Sequence, residues 1–508
     1  MSARCLIRGG HVFAAADQPA VRDGAVVVDG DSILEVLPFA EAQARHPGAA
    51  VLGSPAAAVL PGLINAHHHG QAATSIQMGL PEDLLEPWLL SWAGTRDRDR
   101  YLDTLLSGAK LLGSGVTTTV DIWSDGSEAA VYAESIRAAR RGYGDAGIRV
   151  CFAPGIKTQS FIVWGAGEDG RFIDSLPPTL RPRAESLLPA RTLDEDDYFA
   201  VMAEIGRETA GDTRFDLWFE FPGPQWVSDD FMQRIAEAAA SADTGLQTHV
   251  NESLYEKLHG LRFYGRDTML HLEALGVLSP RFSIAHGCWL TEAEIIAMVR
   301  TGAAISHNPG SNLRLHAGIA PVLALCAAGV TVGLGMDATT LNDDEDMFGE
   351  MRLALRLNRD PTSRDAGMSP ADVLALATLG GAKLIRKEDR LGRLASGYAA
   401  DLVVVDLGRA RWPWTAPEGD PLALCLLRAS RRDVDLVMVD GEVVWRDKAP
   451  TRFDIREAGQ AFAERMAAQP VPAERAETVR RLLSHLRDWY GAWDHPVADP
   501  YTAYNSRI

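Results

Sequence analysis

Residues 61–70 read PGLINAHHHG, and this stretch decides the fold. An apolar run at Leu63 and Ile64 hands over to three consecutive histidines. On a strand, residues two apart share a face. His67 and His69 then point one way as candidate ligands, and His68 points the other. Such a pair alone is an ordinary strand feature. Here three more strand-like runs end on the same class of donor: His249 in LQTHVNES, His286 in SIAHGCWL and Asp337 in VGLGMDATT. Imidazoles with one carboxylate make a set that borderline divalent ions such as zinc or iron accept. Donors spread over distant segments need a fold that gathers strand ends at one point. The (β/α)8 barrel does this at the C-terminal ends of its strands.

Outward from these motifs, strand and helix alternate. Strand candidates are LPGLINAH, GVTTTVDIW, GIRVCFAP, FDLWFEF, GLQTHV, FSIAHG, GAAISH and VTVGLGMD. Helical periodicity lies between them, as in YLDTLLSGAKLLGSG and DDFMQRIAEAAASA. Near the start, CLIRGGHVF, GAVVVDGDSILEV and AVLPGL read as short strands around Gly and Asp turns, and that texture returns in YAADLVVVDL and VDLVMVDGEVVWRD. The expected class is therefore α/β. A (β/α)8 TIM barrel occupies 59–390, a small composite β-sandwich domain is built from 1–58 and 391–455, and a C-terminal helical extension fills 456–508. Residues 157–195, rich in Gly, Pro and Arg, follow the third strand and form either a lid or a plain surface insertion.

Composition narrows the function. With 46% apolar and 23% charged residues, the 508-residue chain can bury a large core. A net charge of −18 argues against nucleic acid or an anionic membrane as partner and leaves a small-molecule substrate. Cys5, Cys151, Cys288, Cys326 and Cys425 are scattered without paired spacing, as in a reducing compartment. The opening MSARCLIRGGHVFAAA has no apolar core of a signal peptide, so the expected location is cytoplasmic.

Glu252 lies three residues after His249, where a carboxylate at the barrel mouth can protonate a substrate and its leaving group. Taken alone it would read as an acid at a helix start. Neither FDLWFEFPGPQWV nor LQTHV holds a lysine. No carbamate is then available to bridge two ions, and the expectation is one divalent metal per chain, zinc before iron. His307 and Asn312 in SHNPGSNLRL are candidate substrate contacts, weighed against a structural histidine and a turn asparagine. Trp88, Trp123, Trp164 and Trp289 fall just beyond strand ends and can wall a pocket for a flat ring. Cys288 reads as a small buried residue and not as a nucleophile. Val479, Leu482, Leu483, Leu486, Trp489 and Tyr490 form a helical stripe that must be covered. Either the chain's own barrel or a partner subunit covers it; the expectation is a homo-oligomer, dimer or tetramer, with this tail in contact.

Taken together, PGLINAHHH, GVTTTVD, HVNE, AHG, SHNPGSNLRL, GLGMD, GYAADLVVVD and VDGEVVW resemble the amidohydrolase superfamily. The branch is that of cytosine, guanine and 8-oxoguanine deaminases, S-adenosylhomocysteine deaminases and s-triazine hydrolases of the atrazine chlorohydrolase type. The resemblance covers nearly the whole chain and is specific for branch, not for substrate. It implies that His67, His69, His249 and Asp337 hold the metal with a water. Glu252 is then the proton shuttle, His286 orients the water, and Asp337 also accepts the water's proton. The triple-histidine motif is similar to that of hydroxyatrazine ethylaminohydrolase and 8-oxoguanine deaminases. The next stretch, GQAATSIQMGL, offers Gln71 to a substrate but lacks the arginine that such relatives often carry there. The implied reaction is hydrolysis of a C–N bond, by deamination or amine release, in a small nitrogenous heteroaromatic compound. The near alternatives are loss of chloride or an alkylthio group from a triazine and hydrolysis of an amide or urea; the distant one is a non-catalytic binding protein on the same fold. Glu252 favours a basic leaving group, because chloride needs no proton.

Overall fold

The computed structural model describes residues 4–124, 128–189, 193–338, 340–359, 367–470 and 472–494. Both ends of the chain build one sheet. Its eight strands run in the order Ala449–Pro450, Glu442–Arg446, Val434–Val439, Leu402–Asp406, Ala50–Pro61, Cys5–Val12, Val21–Asp29 and Ser32–Pro38. Ala50–Pro61 joins the halves, antiparallel to Leu402–Asp406 and parallel to Cys5–Val12. Alternation along each strand separates two apolar faces. Ile7, Val26, Val59, Val404 and Met438 share one buried cluster, so the sheet curls around its own inner face. Val403, Val405, Val437 and Val439 point the other way and join the barrel's core.

The middle of the chain is the barrel. Its strands are Leu63–His68, Val116–Ser124, Arg149–Gly155, a fourth in two pieces, then Leu246–Val250, Phe282–His286, Ala304–His307 and Val332–Leu334. Neighbours pair in parallel. The run FDLWFEF, expected as one strand, breaks at Trp218 into Phe215–Leu217 on the third strand and Phe219–Glu220 on the fifth. The Trp218 N–H donates to Phe152 O at 2.8 Å and the Phe219 N–H to Gly245 O at 3.0 Å, so the two pieces carry the sheet across the seam. The barrel closes at its other seam through the Asp337 N–H to His67 O, 3.0 Å, and the Met336 N–H to Asn65 Oδ1, 2.8 Å. The last strand is squeezed there. A Cβ on Gly335 would lie 2.2 Å from Asn308 Oδ1, which is why VGLGMD needs glycine at that point.

The connecting helices form where capping and periodicity agree. Arg100–Gly113 is capped by Asp99, whose side chain accepts the Leu102 N–H, and Leu102, Leu105, Leu106, Ala109 and Leu112 are buried at helical spacing. Asp229–Ser241 starts on Ser228 in the same way.

Segment 157–195 is more than surface. Its Trp164, Phe172, Ile173 and Leu180 pack with Leu85 and Trp88 of helix Leu85–Trp92, with Trp226, and with Val479, Leu482, Leu486 and Tyr490 of helix Ala473–Gly491. The Tyr490 hydroxyl accepts the Trp164 N–H at 3.0 Å. The apolar stripe expected at a subunit interface is thus covered by the chain itself. Its cover is helix Leu85–Trp92 together with the insertion, which has no periodicity that would have marked it as a packing partner; Leu483 and Trp489 of the stripe are only partly buried. The end of the chain beyond Asp494 lies outside the described residues. Among the described residues, no helix is long and apolar enough to cross a membrane.

Candidate active site

The barrel brings His67, His69, His249, His286, Glu252 and Asp337 to one point. The Asp337 Oδ1 lies 3.1 Å from His69 Nε2 and 3.5 Å from His67 Nε2. His249 Nε2 is 3.4 Å from His69 Nε2. His286 Nε2 is 3.5 Å from Glu252 Oε2 and 3.7 Å from Asp337 Oδ2. His68 turns away, as its place in the strand requires: it is buried, and its Nδ1 accepts the Gly70 N–H.

Each of the four converging imidazoles is held from behind. The Nδ1–H of His67 donates to Gln247 Oε1 at 2.9 Å, that of His69 to Ile122 O at 3.0 Å, that of His249 to Pro222 O at 2.6 Å, and that of His286 to Asn312 Oδ1 at 2.8 Å. An acceptor on Nδ1 fixes the tautomer and leaves the Nε2 lone pair facing the centre. Gln247 is itself tied to Ala66 O and Ser283 Oγ. Asp337 is fixed by the Ser311 hydroxyl at 2.5 Å and the Ala338 N–H at 2.6 Å. Two site residues sit in the left-handed region, His286 at φ 77° and Asp337 at φ 56°. Such strain costs of order 1–3 kcal/mol and persists where the surroundings impose it.

The donors fit one divalent ion. One ligand atom from each of His67, His69 and Asp337 lies within 4.8 Å of the others, and the same holds for His67, His249 and His286. His67 Nε2 is buried and has no hydrogen-bond partner among the described residues. Burial alone would raise the Asp337 carboxyl, but His67 and His69 outweigh it and hold the group well below the usual range. Imidazole nitrogens with one ionised carboxylate are the donor chemistry such ions take.

Glu252 is of the opposite kind. It is buried, and burial together with the Glu256, Asp337 and Glu86 carboxylates pushes it well up. That environment favours its protonated form. Its backbone N–H donates to Glu256 Oε2 at 2.7 Å, and the Glu256 Oε1 takes the Gln225 amide.

These groups open on a cavity of about 610 Å³. His69, His249, Glu252 and Asp337 form one part of its wall, and Gln71, Trp88, Trp92, Trp123 and Trp226 form another. Gln71 and Trp88, taken from the sequence as substrate contacts, thus face the cavity. His307 and Asn312 do not line it. Both are fully buried behind the strand ends, and Asn312 spends its oxygen on His286. Trp164 packs against Trp226 behind the wall, and the Trp289 indole N–H donates to Ala317 O. Glu220, Lys157, Arg98 and Arg100 also line the cavity and were not singled out from the sequence. Glu220 had a usable signal, as the carboxylate that closes a strand. Lys157 stands two residues beyond the third strand; Arg98 sits in a loop that carries no mark of its place, and Arg100 opens helix Arg100–Gly113, where a first-turn arginine draws no notice.

This arrangement has known counterparts. Residues 58–444 match the model of the amidohydrolase family. The chain belongs to that family. Residues 24–49 also match an imidazolonepropionase-like composite domain of bacteria. Among relatives of this amidohydrolase is an 8-oxoguanine deaminase of Pseudomonas aeruginosa, 32% identical over 83% of this chain and 89% of the relative. A 5-methylthioadenosine/S-adenosylhomocysteine deaminase of Nitratidesulfovibrio vulgaris is 31% identical over 86% of this chain and 91% of its own length. Among solved structures, an adenosine deaminase from Xanthomonas campestris with bound zinc superposes at a TM-score of 0.76, with 26% identity over 91% of this chain and 98% of that one.

Proposed function

We propose that this amidohydrolase is a mononuclear aminohydrolase that releases ammonia or an amine from a nitrogen heterocycle. The observation that carries the reading is Glu252, a buried carboxyl whose surroundings favour its protonated form and which faces the cavity 3.5 Å from His286 Nε2. His67, His69, His249 and Asp337 would hold the ion. Bound there, a divalent metal supplies a Lewis acid that brings the pKa of water toward roughly 7. The chain's own groups do the rest. Trp88, Trp123 and Trp226 hold the flat ring. Glu252 gives its proton to a ring nitrogen, which makes the adjacent carbon electrophilic; it then takes up the proton of the added hydroxyl as the carbonyl forms and passes it to the departing amine, and the proton that Asp337 takes from the water restores Glu252. Asp337 Oδ2, steadied by Ser311, takes the proton of the attacking water, and His286 holds that water in line. Chloride departs without a proton and would use only the first of these two transfers by Glu252, so loss of an amine is the better fit.

The donor set and the zinc of the Xanthomonas relative support zinc; iron accepts the same donors. All five cysteines are free, which supports a reducing compartment such as the cytoplasm. A homo-oligomer stays in the reading through surfaces other than the covered stripe, because soluble enzymes so often assemble on two-fold axes. The experiment is an ammonia-release assay on zinc-loaded protein against purines, pterins, pyrimidines and amino-triazines. Turnover of at least one panel member, lost in Glu252→Gln, is the expected result. Metal-loaded protein with no turnover on any of them would overturn the reading.

A further inference from the structure

Besides the metal ligands, the cavity wall carries a group of cations: Arg98, Arg100 and Lys157, each against an aromatic ring. The Arg100 guanidinium lies 4.8 Å over Trp123 and 5.6 Å from Phe152; Arg98 lies 5.1 Å over Trp92, and Lys157 Nζ lies 4.1 Å over Trp226. Stacking occupies the flat face of a guanidinium and leaves its N–H edge free to point elsewhere. Side-chain exposure is 9% for Arg100 and 21% for Arg98.

The neighbouring carboxylates do not use up these edges. Arg98 Nε is 3.3 Å from Asp103 Oδ2, and the other Asp103 oxygen accepts the Ala72 N–H. Arg100 Nη2 is 3.8 Å from Asp121 Oδ2, beyond hydrogen-bond reach, and that oxygen already takes the Tyr143 hydroxyl at 2.7 Å. Arg98 Nη1, Arg100 Nε and Arg100 Nη2 are buried with no hydrogen-bond partner among the described residues. Glu220, a further buried carboxyl on this wall, accepts the Trp123 N–H and the Ser124 hydroxyl. Burial raises it to about 8, so it does not cancel the cations at neutral pH. Buried guanidinium donors left unpaired are costly, and their fork matches the oxygens of a carboxylate or phosphate.

We infer that Arg98 and Arg100, with Lys157, form an oxyanion subsite, and that the natural substrate is a heterocycle bearing a carboxylate or phosphate on a substituent other than the departing amine. The inference rests on the aminohydrolase reading for the word substrate, but not for the subsite, which binds whether or not chemistry follows.

The test pairs neutral and charged rings: pterin with pterin-6-carboxylate, cytosine with 5-carboxycytosine, and adenosine with adenosine 5′-monophosphate. In the wild type, kcat/KM for the charged member of at least one pair should exceed that of its neutral partner by about tenfold or more. That ratio should collapse in Arg98→Met and Arg100→Met and recover in part in Arg98→Lys and Arg100→Lys. A carboxylate pair or the phosphate pair showing the preference identifies the oxyanion. A second arm needs no turnover: binding of pterin-6-carboxylate to the zinc-loaded protein, followed by its fluorescence, should weaken in both methionine variants. Binding that weakens in this way without deamination of any compound supports the subsite and sinks the aminohydrolase reading. If neutral partners do as well as charged ones in every pair, and the variants leave pterin-6-carboxylate affinity unchanged, the subsite is overturned. Metal content and melting midpoint of each variant report folding, and the lysine variants keep the test alive should a methionine variant unfold.

Discussion

The imidazole of His286 and the carboxamide of Asn312 are joined edge to edge, Nδ1–H to Oδ1 at 2.8 Å, and both side chains are fully buried. Burial lowers His286 to about 4, so the ring stays neutral, and the bond to Asn312 decides which nitrogen carries its hydrogen. Nε2 is left as an acceptor between Glu252 and Asp337. Asn312 does not line the cavity, and its oxygen is bonded to His286, through which it would act. Asn312→Ala should therefore lower kcat/KM by roughly 10–100-fold with metal content unchanged, the range in which partners behind metal-site histidines act. Asn312→Asp, which keeps an acceptor in place, should recover part of the loss. Activity close to wild type in Asn312→Ala would show that the ring needs no such hold.

Glu252→Gln removes the proton and keeps the shape. The variant should retain its metal and lose on the order of 10²-fold or more in kcat, because proton transfer at the ring nitrogen and at the leaving amine both fail. The loss should be smaller for a substrate whose leaving group needs no proton. Loss of metal in step with activity would make Glu252 a ligand instead.

The pH profile gives Glu256 a task of its own. Glu252 is held well above its ordinary value, with burial the largest cause and the Glu256 carboxylate the next. Its active form is the protonated one, favoured by this upward shift and lost as pH rises, so it should set the alkaline limb of kcat/KM. Glu256→Gln deletes a like charge and lowers the Glu252 pKa, and the limb should move to lower pH. A profile measured from neutral to alkaline pH checks the sign; a limb that stays in place or moves upward would remove Glu256 from this role.

Metal content follows from the donors. The described centre offers three to four imidazole nitrogens and Asp337 around one point, and the nearest lysine on the cavity wall, Lys157, is stacked on Trp226. Elemental analysis should find about one equivalent per chain, and its removal by a chelator should lower the melting midpoint, because binding to the folded state is linked to stability. Two equivalents in a fully active sample would refute a mononuclear centre.

What the sequence disclosed and what it withheld have separate physical causes. The donors were legible because each ends a short apolar strand, where parity fixes the direction of a side chain: His67 and His69 share a face, and His68 opposes them. The eight-strand count was legible for the same reason, although the break at Trp218 was not. It depends on Gly245 making room for an indole on another strand, where a Cβ would come within 2.4 Å of the ring. His307 and Asn312 have the sequence neighbourhood of substrate contacts but lie behind the wall, a matter of depth that periodicity does not encode. Arg98 reaches the cavity from a loop, where no period ties sequence position to direction, and Arg100 from the very first position of a helix, before any period is established. The positive φ of His286 and Asp337 is likewise set by the closed barrel and not by their own preference.

The covered stripe of the C-terminal helix gives the last prediction. Leu486 is fully buried in the cluster that holds Trp164 and Phe172 of the insertion and Trp88 of the cavity wall. Leu486→Ala removes apolar volume from inside one chain, which costs about 2–5 kcal/mol in a packed core. The melting midpoint should fall, and KM should rise because Trp88 loses part of its support, while kcat changes little. Since the stripe is satisfied within the chain, the particle mass by light scattering should equal that of the wild type, whatever that mass is. A variant with an unchanged midpoint but a smaller assembly would place Leu486 at a subunit contact and overturn the assignment of the stripe to the chain's own insertion.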